Sequence, residues 1–149
     1  QRAYARSLHQ KSIYTPQMVV QGSDAIIGHK ADHILASIRA HQAQPAPVAI
    51  GIERRGDMLV ISLVPEAAMD GPANVHLVTY MPTHDVSIDG GENAGHDLTY
   101  THIVTGWSTI ARWDGKAPVS IEHAAPEDPA VVIVQKPKAG PIIAASRLP

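Results

Sequence analysis

The sequence predicts an α+β protein in two unequal parts. Residues 1–44 read as a helix, a Thr-Pro loop, a β-hairpin and a second helix, and residues 45–149 as an antiparallel β-sandwich. Three observations lead there. Near the N terminus, apolar residues at helical spacing flank two short apolar runs. Gln44-Pro45-Ala46-Pro47 then forbids helix continuation and favours an extended connection. From Val48 the apolar period changes from helical to alternating, with turn residues at regular intervals.

In the first part, Gln1 to Lys11 offers Tyr4 and Leu8 at helical spacing, with Arg2, Arg6 and Lys11 left to solvent, as in an amphipathic surface helix. Pro16 removes a backbone donor and pushes Thr15 out of the helical region, so Tyr14-Thr15-Pro16 is a loop entering the strand Met18-Val19-Val20. An X-Pro bond at that place is where a cis peptide can be built in. Gly22-Ser23 suits a hairpin turn into Asp24-Ala25-Ile26-Ile27, which Gly28 closes. Ile34, Leu35 and Ile38 predict the buried face of a helix from Lys30 to Ala43.

The second part reads as about eight short strands. Val48, Ile50 and Ile52 alternate with smaller or polar residues, Arg54 to Asp57 turns the chain, and Met58 to Val64 runs back to Pro65. A third strand is expected over Val75 to Tyr80 and a fourth, past Pro82, at Val86 and Ile88. A turn with three glycines, Asp89 to Gly95, precedes a long strand over Leu98 to Ile110. Shorter ones follow around Val119-Ser120-Ile121, Val131 to Val134 and Ile142 to Ala145.

Composition narrows the chemistry. The chain has 149 residues, 44% hydrophobic and 17% charged, and no cysteine. Disulfide exchange needs a thiolate, so these residues alone cannot perform it. A net charge of −2 with both signs scattered gives no field that draws in nucleic acid. Aromatics make up 4%, with no phenylalanine, so the core must be aliphatic and a base-stacking platform is not expected. No apolar run is long enough to cross a bilayer, no signal peptide is visible, and no cofactor is implied.

Four groups of side chains invite a functional reading. His29 and His33 stand four apart at a helix entrance, but Lys30 occupies the place where a zinc-protease motif puts its glutamate, so solvated histidines are expected there and no metal site. His84, Asp85, Asp89, Glu92, His96, Asp97 and His102 gather around the glycine turn. Turn chemistry explains them, with Glu92, Asn93 and His96 as a candidate ligand turn. Trp107 and Trp113 lie six apart on or after the long strand, where packing is their ordinary use, although an exposed indole could stack on a sugar. Arg55-Gly56-Asp57 is read as a hairpin tip.

Four blocks carry a resemblance over almost the whole chain: QRAYARSL from Gln1, YTPQMVVQG from Tyr14, GENAGHDLTYTHIV from Gly91, and VVIVQ with GPIIAASRL near the end. They resemble a family of secreted bacterial thioredoxin-like proteins whose function is not established. The resemblance implies that the N-terminal helix, Thr-Pro loop, hairpin and helix are the second half of a thioredoxin fold. It also implies that Tyr14, Thr15 and Pro16 present backbone to an extended substrate. In that family a strand, a helix carrying Cys-x-x-Cys and a further strand come before the matched region. The resemblance therefore implies a non-catalytic C-terminal portion with a binding or scaffold role in the periplasm or outside the cell. Two alternatives accompany it. One is a thiol-disulfide oxidoreductase whose cysteine pair lies on a missing or cleaved N-terminal segment, the other an interaction module of a larger assembly. A two-stranded hairpin is marginal alone, so a segment or another polypeptide completing its sheet is the expected partner.

Overall fold

The computed structural model describes residues 2–10, 12–91 and 95–148; strands take up 52% of the described residues and helices 13%. Along the chain come α1 (Arg2–Ser7), β1 (Gln17–Val20), β2 (Asp24–Ile27) and α2 (Ala31–Gln42). Seven strands follow: β3 (Val48–Arg55), β4 (Met58–Pro65), β5 (Ala73–Ser87), β6 (Asp97–Trp113), β7 (Val119–Ala124), β8 (Ala130–Gln135) and β9 (Ile142–Arg147). Three antiparallel sheets result, ordered β1-β2, β3-β4-β7 and β6-β5-β8-β9.

The expected α+β class, with a partial thioredoxin-like unit ahead of a β-sandwich, is thereby overturned: the protein is mostly β, built on three antiparallel sheets. Burial supplies the physical reason. The stripe Ile34, Leu35 and Ile38 does lie on a helix, yet α2 buries no residue and Leu35 is 49% exposed. Within α1 only Ala5 is buried. Among the described residues β1 and β2 pair only with each other, so there is no wider sheet for the helices to cover.

The core lies where the alternation is strongest. Every second residue of β4, β5 and β8 points to one side, and Leu59, Ile61, Leu63, Val75, Val132 and Val134 are fully buried there. They form one cluster with Val48, Trp113 and Ala144 between the three-stranded and four-stranded sheets. Each such side chain contributes about 1.5–3 kcal/mol over leaving it in water.

Two tethers hold the N-terminal segment to this core. The β1–β2 turn has Gln21 at φ 52° and Gly22 at φ 67°, with Ser23 N donating to Val20 O at 3.0 Å. The two positive φ values make a turn whose twist suits a hairpin, within a three-residue loop between the paired Val20 and Asp24, so Gln21 joins the Gly22-Ser23 expected. Gln21 O accepts from Ile142 N at 2.8 Å and its side-chain Nε2 donates to Ile142 O at 2.9 Å. A Cβ at Gly22 would lie 2.7 Å from Gly140 O, so only glycine allows this approach. The second tether is the Gln135 side chain, which donates to Tyr4 Oη at 2.9 Å and to Gly140 O at 2.8 Å.

Two of the expected strands are one. Pro82 does not end the strand that begins at Ala73, and between Met81 and Thr83 the ladder with β6 skips a single position, Pro82 opposite His102, where His102 has φ 52°. The partner on the other side, β8, pairs with Asn74 to Thr79 only, so the missing donor of Pro82 breaks no bond there.

Candidate functional site

The outer face of the four-stranded sheet should be polar if the strands simply alternated against solvent. Instead, cross-strand neighbours place Trp107, Val78, Val131 and Arg147 in one row across β6, β5, β8 and β9. The next rows put Thr109, His76 and Ile133 on one side and Val104 with Tyr80 on the other. Val78 and Tyr80 are 2% and 7% exposed although they point away from the core, while Val104 and Trp107 are 54% and 49% exposed. Flanking side chains therefore shelter a floor, leaving a recess of about 270 Å³ bounded by His102, Val104 and Trp107 on one side and Val131, Ile133 and Arg147 on the other.

Bulges in β6 create this arrangement. Thr79 pairs with Gly106 and Tyr80 with Val104, so Thr105 is the extra residue. It lets Val104 and Trp107, three apart, share a face. Val75 pairs with Ala111 and His76 with Thr109, leaving Ile110 extra. This second bulge separates the two tryptophans: six apart in an unbroken strand they would face the same way. Trp113 is instead buried at 5% exposure, its indole N–H donating to Ala117 O at 2.9 Å, while Trp107 faces outward.

Polar groups converge on the rim. Arg147 donates through Nη2 to Tyr80 Oη at 2.9 Å, so its guanidinium reaches back across β8 to β5. The Tyr80 and His102 rings lie 5.4 Å apart, centre to centre, and the His76 and Trp107 rings 5.3 Å apart. His76 is 7% exposed and its Nδ1 lies 3.0 Å from Thr109 Oγ1. Burial pushes its pKa below the ordinary histidine value, against an opposing backbone hydrogen bond at Ser108. The arrangement can hold a ligand by apolar contact and by hydrogen bonds from the rim. Among the described residues no group of three or more histidines or carboxylates is placed to hold a metal ion.

The residues singled out from sequence lie elsewhere. Thr15-Pro16 is cis, and Gly28 packs beneath it: its N–H donates to Pro16 O at 2.8 Å, and a Cβ there would stand 2.9 Å from Pro16 Cβ. Thr15 and Pro16 are exposed, and Tyr14 is half-buried beside a shallow recess with Ile27, Lys30 and His33. His96 is exposed at the far end of the β5–β6 hairpin, where its O accepts from Ile88 N at 3.1 Å. Glu92 and Asn93 lie outside the described residues. The fold thus puts Tyr14, Thr15 and Pro16 ahead of the two-stranded sheet and His96 in the connection just before β6, and does not assemble them. Sequence reasoning missed Tyr80 and Arg147, and it assigned His102 to the glycine turn.

A larger recess of about 570 Å³ runs between β9, the β1–β2 turn and α2, lined by Val20, Ile38, His41, Pro47 and Ile142. Two of its polar lining groups, His41 and Gln21, are already engaged. Asp24 accepts from the Ser37 hydroxyl at 2.5 Å and pairs with His41 Nε2 at 3.1 Å, contacts that hold its carboxyl below the usual range with Ser37 foremost. Gln21 is spent on Ile142. This is a seam, and the outer-face recess is the better candidate.

The family described as "Protein of unknown function (DUF1223)" matches residues 1–135. A crystal structure of a protein from Agrobacterium tumefaciens is similar, with a TM-score of 0.79 at 24% identity, covering 99% of this chain and 67% of that one. At that identity the likeness speaks for the fold alone. No curated protein matches the chain.

Proposed function

The chain belongs to the DUF1223 family of proteins of unknown function, and from that premise we propose that it is a non-catalytic binding module whose ligand lies on the outer face of the four-stranded sheet. The observation that carries this reading is the half-exposed Trp107 and Val104 standing over the buried Val78 and Tyr80. Small-molecule sites are concave, mostly apolar and fixed by a few polar groups, and this recess has that make-up. The resemblance of the four sequence blocks supports a secreted or periplasmic setting for that role. The exposed Ile13, Met18 and Leu35 near the two-stranded sheet support a further polypeptide lying against it. Among the described residues no helix is long and apolar enough to cross a membrane.

The test is a titration of the isotope-labelled protein with single-ring compounds, neutral and charged, followed by amide NMR. Binding at the recess shifts amides of Val78, Tyr80, Val104, Trp107 and Val131 together, and Trp107→Leu weakens the response. Shifts confined to the seam beside β9, or none with any compound, would overturn the reading.

A further inference from the structure

The recess combines an apolar wall with a cation, Arg147, that has no carboxylate partner among the described residues. Ion pairs among the described residues join His41 to Asp24 and Arg55 to Glu53, and none involves Arg147. The guanidinium uses one donor on Tyr80 Oη, and the rest of its fork stays available. Glu127 and Asp128 lie beyond it, along a separate recess that Tyr80 and Arg147 also border, outside ion-pair distance. On the near side stand Trp107, Val104, Val131 and Ile133, with the His102 ring against Tyr80. We propose that this site binds a small organic acid carrying one flat apolar ring, the ring against Trp107 and Val104 and the carboxylate on Arg147. The inference rests on the binding reading above and adds the chemical class of the ligand.

Size and charge both select that class. A volume of about 270 Å³ falls just below the range of pockets that enclose drug-sized ligands, so it suits about one ring and a short chain. A guanidinium takes a carboxylate through two parallel N–H donors, a charge-assisted geometry stronger than a neutral hydrogen bond. Beside an apolar wall, where water is partly excluded, the preference for the anion over its neutral amide increases. Ligand and guanidinium share Tyr80 as a positioning contact, since its hydroxyl fixes where the fork lies.

The experiment compares phenylacetate with 2-phenylacetamide and with acetate, by calorimetry and amide NMR at neutral pH. Phenylacetate is expected to bind about tenfold or more tightly than the amide, and acetate not measurably. Arg147→Gln should remove the preference by weakening phenylacetate about tenfold or more and the amide much less, Arg147→Lys should restore part of it, and Trp107→Leu should weaken both ring compounds. Unchanged far-ultraviolet dichroism establishes that each variant is folded. Equal binding of phenylacetate and the amide at the recess would overturn the charge assignment and leave the binding reading standing. Absence of any shift at the recess with either compound would overturn both.

Discussion

His76 lies on the outer face of β5, yet it is sheltered by Trp107 and bonded to Thr109. Its folded-state pKa is lowered chiefly by burial, so the unfolded chain takes up a proton more readily than the folded one. The neutral ring's contribution to stability is complete above the ordinary value of 6.5 and is lost as pH falls through it toward the lowered folded value. The urea midpoint should therefore drop further between about pH 7.5 and about pH 5 in the wild type than in His76→Gln. Equal drops in both proteins would show that His76 carries no such linkage. Gly106 presents a second single-residue constraint. A Cβ there would stand 2.6 Å from Thr79 Oγ1, the atom that accepts the Thr105 hydroxyl at 3.0 Å. Gly106→Val should cost about 1–3 kcal/mol in denaturant unfolding. Gly106→Ala should cost less and be partly rescued by Thr79→Ala, because the two positions are coupled. Additive effects would sink the explanation.

At the scale of elements, β6 decides both the core and the candidate site. Its identity as a long strand was legible, since Leu98 to Ile110 is rich in threonine, aromatic and β-branched residues. Its two bulges were not, because Thr105 and Ile110 look like any other strand residues and a bulge is settled by the partner's register. One unseen residue inverts every assignment of face beyond it. This is why the sequence could not separate Trp107 from Trp113, or draw His102 toward Tyr80. The same limit applies to Arg147, whose role depends on the β8–β9 register that pairs it with Val131. Helix α2 shows the opposite case: its residues and bounds were readable, but its apolar stripe stays half-exposed because only the two-stranded β1-β2 sheet lies against it. Leu35→Ser should accordingly change stability by no more than about 0.5 kcal/mol, whereas Ile61→Ala, fully buried on β4, should cost about 2–5 kcal/mol. Chemical denaturation of the two variants side by side checks this, and a large loss from Leu35→Ser would mean that α2 has a covered face.

Taken as a whole, the molecule has one strong cohesive unit and one weak attachment. The core cluster draws on residues from Val48 onward, and the segment before it is joined through few groups: Gln21 on Ile142, Tyr4 on Gln135, and the close approach of Gly22 to Gly140. A net hydrogen bond contributes about 0.5–1.5 kcal/mol, less than one buried aliphatic side chain in the core. A two-stranded sheet with half-buried residues has little stability of its own. The segment should therefore open without disturbing the rest, as a local unit of low free energy. Native-state hydrogen exchange measures this directly. Amides of β1, β2 and α2 should exchange through openings less costly than global unfolding, while those of β4, β5 and β8 should report the global value. Tyr4→Phe removes one of the two acceptors of the Gln135 amide and should lower the opening energy of α1 by about 0.5–1.5 kcal/mol, leaving the core amides unchanged. If β1 and α2 amides instead exchange at the global free energy, the segment is part of the cooperative core. The seam beside β9 would then hold the chain together more tightly than its hydrogen bonds and open recess indicate.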